Sequence, residues 1–385
     1  MTRNSGARHR LGALAAMLAV AALLQAGCTL TSPFDPAGVF APINEFVNEA
    51  QNAVEGAVAN PFGNNPYPVV IGGDSTRVFY ATNLGDTLIR FPGPTNDVVL
   101  PGLLGPSNLY MHQNGVRTLL RPLVPGNTFF GLATNGQDVA FVQVTGVDAD
   151  GPRMQVVVGG LFVAGDRVVY EAAPGEYVLD LHLSGELLAI GVVGGAGARL
   201  IVVDLTDDTQ REFSEAVIHS FDLRDRRLAY IVDDQGEAVV LLRDLVSHIE
   251  TELARGVRTP ASVFLTDNFV VWTDAISRGV ERVRAYDIRD GTTRLWADAV
   301  QGQVRGASDD FFVTQERIVR GNGSVRLIIR RYAAAGASDV LGEFPANGRA
   351  GQAQIRGQRI IFVNSDRRVV VVPLGEGRRF NFRPF

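Results

Sequence analysis

The chain has 385 residues, 46% hydrophobic and 20% charged, a balance that excludes a disordered or low-complexity protein. All 36 of its basic residues are Arg, which excludes a Schiff-base lysine and a phosphate-loop lysine. Net charge is −5, and −8 once the three Arg before residue 11 are set aside, an unfavourable balance for general nucleic-acid binding.

The first ten residues carry Arg3, Arg8 and Arg10 and no acid. Leu11 to Leu24, "LGALAAMLAVAALL", follows as an uncharged run of 14 residues. A bilayer span needs about 20, so the run reads as the apolar region of an export signal. The small residues Ala26 and Gly27 come next, then Cys28, the one cysteine of the chain. Ala26, Gly27 and Cys28 resemble the lipobox of bacterial lipoproteins, although Gln25 stands where that family usually has an aliphatic residue and Leu24 is displaced by one place.

The resemblance implies a signal peptide over residues 1–27, cleavage between Gly27 and Cys28, and a diacylglyceryl group on the Cys28 thiol. It also implies a membrane anchor through acyl chains. Thr29, in place of Asp, implies the outer membrane, with the protein facing the periplasm or the cell exterior. With no second cysteine, the exported part must stand on its hydrophobic core.

Residues 28–66 read as a tether. Thr29 to Gly38, "TLTSPFDPAG", is rich in turn formers. Within the tether, Ile43, Phe46, Val47, Ala50, Val54, Ala57 and Val58 recur at helical spacing, predicting a short amphipathic helix over about 42–60. Its polar side carries Glu45, Glu49 and Glu55 and no base, so docking on the body of the protein is favoured over lying flat on an anionic membrane.

From residue 67 to 385 one unit recurs. A polar turn leads into a nearly unbroken apolar strand: Val78–Tyr80, Val139–Val142, Leu188–Ile190, Leu228–Ile231, Val270–Trp272, Phe311–Val313 and Ile360–Val363. A more alternating strand follows, as in "RLIVVDL" and "RVRAYDI", then a shorter polar one, as in "TQREF" and "TTRLW". Strands apolar on both sides need cover on both sides, and a period near 40–45 residues with about four strands suits sheets stacked around an axis. The expected fold is all-β, a β-propeller of seven four-stranded blades. Six blades remain open if the first unit is a cap, and eight if residues 108–130 conceal another. In "AYDIRDGTTRLWADA", Ala285, Asp287, Gly291 and Trp296 resemble the repeat of quinoprotein-type propellers, which implies the fold and no cofactor site.

No nucleophile elbow, zinc helix or cysteine cluster is present in the sequence. "GVVGGAGAR", Gly191 to Arg199, reads as a connection between strands, not a phosphate cradle. His182 and His219 fall in turn-proximal strands of adjacent units and are the candidate channel-facing residues; two histidines fall short of a metal site. Residues 28–304 carry 19 Arg against 34 acids, and residues 305–385 carry 14 Arg against 7 acids. Arg356, Arg359, Arg367 and Arg368 are therefore the candidate basic patch for a partner.

No catalytic residue, metal or cofactor is assigned. The expected function is a lipid-anchored, non-enzymatic binding or scaffolding protein of the cell envelope, with a protein or envelope partner and no nucleic acid. The alternative is a propeller enzyme, a hydrolase or lyase of extracellular glycans, esters or peptides, with a site drawn from several blades and invisible to linear motifs.

Overall fold

The computed structural model describes residues 68–382, apart from short stretches between strands; residues 1–67 and 383–385 lie outside it. Cys28, the tether and the 42–60 segment are therefore outside the described residues. The described chain forms seven four-stranded antiparallel sheets and one small hairpin, Arg90–Phe91 with Val98–Val99. We number the sheets in chain order: residues 68–123, 127–171, 177–215, 218–257, 263–301, 303–345 and 354–382.

Six of these, sheets 2–7, are meanders of four consecutive strands. Sheet 1 is composite, because the hairpin is inserted between its second and third strands. The expectation of seven like units is thus corrected to six continuous units and one interrupted sheet. Residues 108–130 conceal no further unit; they complete sheet 1 and begin sheet 2.

The repeating frame also shifts by one strand. Each apolar stretch predicted to begin a unit is the second strand of its sheet. In Leu187–Gly194 and Arg227–Asp234 five successive residues are buried, since neighbouring sheets cover both faces. The polar turn before each stretch is the hairpin from a preceding first strand, such as Tyr177–Ser184 or Ile218–Arg224.

First strands neighbour one another from sheet to sheet, and sheet 7 meets sheet 1, so the ring closes. Among the described residues no sheet mixes strands from the two ends of the chain; Val78 of sheet 1 shares a buried cluster with Ile361, Val369 and Val371 of sheet 7. The core lies between sheets rather than at one centre. Sheets 4 and 5, for example, enclose Ile231, Val240, Val263, Val270 and Trp272.

Two faces result. The lower face carries the turns from first to second and from third to fourth strands. The upper face carries the turns from second to third strands, the connections between sheets, and Pro68, the first described residue. On the lower face the first turns are joined in series. Arg77 donates to the Gly136 carbonyl at 3.2 Å, Asn135 to the Gly185 carbonyl at 2.7 Å, and Asp225 N–H to Ser184 Oγ at 2.8 Å. Arg224 donates to Asp267 at 2.7 Å, and Asp309 accepts from Thr266 Oγ1 at 2.5 Å and from Asn268 Nδ2 at 2.5 Å. These bonds form a polar belt from sheet 1 to sheet 6.

The third strands of sheets 3, 4 and 5 each end in Asp. Asp204 accepts from Thr206 N–H at 3.0 Å, Asp244 from Val246 N–H at 2.9 Å, and Asp287 from Arg289 N–H at 3.0 Å. Aspartate suits that place because its carboxylate mimics a backbone turn acceptor. In sheet 5 the Gly291 φ of 73° completes the turn, and Trp296 is buried between Phe269 and Phe312. The Asp–Gly–Trp pattern is therefore a turn-and-plug device.

Candidate functional site

The first strands line the ring and have no ladder partner on their inner edge. Their backbone N–H groups must find other acceptors. Side chains of the preceding sheet supply them. Ser220 Oγ accepts from Val263 N–H at 3.1 Å, Asp222 Oδ2 from Leu265 N–H at 2.7 Å, and Glu281 from Val304 N–H at 3.0 Å.

Within this ring His182 of sheet 3 is the centre of a three-sheet cluster. Its Nδ1 lies 2.8 Å from Asp222 Oδ1 on sheet 4, and its Nε2 lies 3.3 Å from Asp180 Oδ2 on its own strand. Carboxylates only accept, so both ring nitrogens donate and the imidazole is held as a cation. Burial pulls its pKa down, but the two carboxylates outweigh that and push it up to about 10. The side chain is 26% exposed, and its ring packs at 4.9 Å from Phe221. Asp222, bonded in turn to Leu265, links sheets 3, 4 and 5 through one carboxylate.

An imidazolium with a pKa near 10 makes no general base at neutral pH. Its second nitrogen meets a carboxylate rather than a hydroxyl or thiol, so no activated nucleophile forms there. The cluster is an ionic pin between blades.

His219, on the next first strand, is 8% exposed and sits at the bulge between Ile218 and Ser220. Among the described residues no group of three or more His, Cys, Asp or Glu is placed to hold a metal ion. The glycine-rich segment is mostly strand: Gly191–Gly194 lies in the second strand of sheet 3, and Gly197–Arg199 opens the third. A Cβ at Gly191 would come 2.6 Å from the Phe221 ring, so this glycine is what lets the His182 cluster close.

Of the candidate arginines, the three that are described divide between the two ends of sheet 7. Arg356 and Arg359 face each other across the lower hairpin of sheet 7. Arg368 is at the upper end, beyond the Val363–Val369 pair, roughly 15 Å away at a strand rise of about 3.3 Å per residue. Arg359 and Arg368 are half-buried, and Arg367 lies outside the described residues.

One feature escaped the sequence: a cleft of about 540 Å³ on the lower face between sheets 2 and 3. Asp138, Asp166, Glu186 and Thr206 line it together with Gly159, Gly160 and Gly165. Arg167 crosses it from sheet 2, bonding Asp208 at 2.6 Å and the Leu205 carbonyl of sheet 3. Phe162 stands 56% exposed in the same third-to-fourth-strand turn as Gly165. These residues are ordinary turn formers in the sequence, and nothing in their spacing marks a cleft.

A closed ring of radially stacked four-stranded sheets defines the protein as a β-propeller. Comparison with solved structures agrees. The β-propeller domain of the Trilobed protease from Pyrococcus furiosus, described as having an open velcro topology, superposes with a TM-score of 0.52 at 12% identity, covering 84% of this chain and 97% of that one. An uncharacterized protein of Listeria monocytogenes superposes with a TM-score of 0.54 at 10% identity, covering 83% of this chain and 95% of that one. At such identities the likeness is one of fold alone. Neither a protein-family model nor a curated protein sequence matches the chain.

Proposed function

We propose that this protein is an exported, lipid-anchored β-propeller that binds and organises a partner in the cell envelope without transforming it. The observation that carries the reading is the His182 cluster. There His182 and Asp222 are held in an ion pair and hydrogen bonds from blade to blade. That spends them on rigidity and leaves the two faces as display surfaces. The lower-face cleft, with its acids and the neighbouring Phe162, suits a partner presenting a basic and partly apolar segment. Anchoring rests on the lipobox-like residues ending in Cys28.

The test is to express the chain in its own host, cross-link living cells and purify it from membranes, beside a Cys28→Ser form. A stoichiometric envelope partner that disappears with Cys28→Ser supports the reading. Labelled acyl-chain incorporation that persists in Cys28→Ser refutes the anchor.

The enzyme reading draws on the same convergence of His182, Asp180 and Asp222 at the ring. Turnover of a glycan, ester or peptide by the wild type, abolished in a folded His182→Gln variant, would replace the scaffold with a hydrolase or lyase.

A further inference from the structure

The charge of the ring is polarised. Among the described residues, sheets 2–4 (residues 127–257) carry 9 Arg against 20 acids, whereas sheets 6 and 7 (residues 303–382) carry 9 Arg against 5 acids. In a closed ring of seven sheets these arcs lie on opposite sides. On the upper face the basic arc ends in exposed tips. Arg317, Val319 and Arg320 form the turn end of the second strand of sheet 6, and Val319 is 68% exposed. Among the described residues Arg317 has no ion-pair partner, and Arg320 shares the single carboxylate of Glu343 with Arg326. Arg368 occupies the corresponding end of sheet 7. Ile276, 37% exposed, occupies that of sheet 5.

We infer that this edge of the upper face rests on an anionic lipid surface, with Arg317 and Arg320 against headgroup phosphates and Val319 and Ile276 reaching between them. Guanidinium groups pair with phosphate oxygens in a two-pronged geometry that ammonium groups lack. Arg317, Val319 and Arg320 share the tip of sheet 6, and Ile276 stands on that of neighbouring sheet 5. Exposed aliphatic tips flanked by cations gain from the apolar layer just beneath headgroups. The acidic arc on the far side is repelled from the same surface, which sets the propeller on edge. Pro68 lies on this upper face, so a chain arriving from Cys28 joins on the side presented to the membrane. The inference deepens the anchored reading but stands on exposed residues rather than on Cys28.

The test uses residues 28–385 with Cys28→Ser, which retains every described strand and carries no acyl chain. Its sedimentation is measured with vesicles of phosphatidylcholine alone and of phosphatidylcholine mixed with phosphatidylglycerol. The expected result is binding to the mixed vesicles only, weakened by salt. Arg317→Glu with Arg320→Glu should weaken it by at least roughly tenfold, as each surface charge changes partition by about fivefold. Val319→Ser should weaken it a few-fold, and Arg356→Glu with Arg359→Glu, on the lower face, should leave it unchanged. Thermal melting checks the fold of each variant, and Arg317→Gln with Arg320→Gln decides the matter if the reversal unfolds.

Equal binding to both vesicle types, parent-like binding by the reversal pair, or release by millimolar inorganic phosphate would overturn the inference. Because the acyl chain is absent throughout, such a failure leaves the anchoring at Cys28 to its own labelling test.

Discussion

His182 and Glu281 show how single ionisable groups tie this ring to pH. The folded-state pKa of His182 is raised, so its contribution to stability is complete below about 6.5 and is lost as pH rises through about 10. Asp222→Asn should cost about 2 kcal/mol at neutral pH and flatten the decline of the denaturant midpoint between pH 7 and 10. Parallel curves for variant and parent would show that the pair carries no such linkage. Glu281 behaves differently in origin but alike in sign. Burial raises its pKa to about 7, against the lowering effects of the Val304 N–H and of Arg305. Stability is complete below the ordinary carboxyl value and falls as pH rises through about 7. Glu281→Gln should therefore match the parent near pH 4 and exceed it by about 1–3 kcal/mol at pH 8 in urea melts.

At the scale of elements, what distinguishes one hairpin from the next is its bond to its neighbour. Asp309 accepts three hydrogen bonds from the sheet 5 turn, from Thr266 Oγ1, Asn268 N–H and Asn268 Nδ2. Asp309→Ala should cost about 1–3 kcal/mol, read as a lower thermal midpoint, because those donors lose their partner together. Gly302 joins sheets 5 and 6 with a φ of 85°, and a Cβ there would meet the Gln315 carbonyl oxygen at 2.5 Å. Gly302→Ala should cost about 2–4 kcal/mol, from the left-handed backbone and the clash with main chain that has nowhere to move. The sequence showed these turns as polar punctuation. It could not show which turn bonds which, because the partners are 41–59 residues apart and never share a strand pair.

For the whole molecule the weak point is closure. Among the described residues no strand crosses between the ends of the chain, and Val78, Ile361, Val369 and Val371 hold sheet 7 to sheet 1 by apolar burial. Ile361→Ala should cost about 2–4 kcal/mol by leaving a cavity in that seam. Amide exchange should then speed up in Arg77–Asn83 and Val369–Pro373 before it does in sheets 3 and 4. Uniform acceleration around the ring would mean that closure is not a separate step. Charge is likewise a property of the whole. The acidic and basic blocks were visible along the chain, but only the ring sets them on opposite sides.

Composition and period alone determined that the chain is all-β and repeating, since strands buried on both faces must be apolar throughout and recur at the spacing of a stacked sheet. They also located the turns, the outer strands and the Asp–Gly–Trp device of sheet 5, all of which depend on local backbone chemistry. Tertiary structure decided the rest. It showed that each apolar strand is second in its sheet, that sheet 1 is interrupted, and that Arg356 and Arg368 lie on opposite faces. It joined His182 to Asp222 across 40 residues and shaped the cleft beside Arg167. These features arise where neighbouring sheets meet, and the contacts that make them are set by the closing of the ring rather than by any residue's neighbours in the chain.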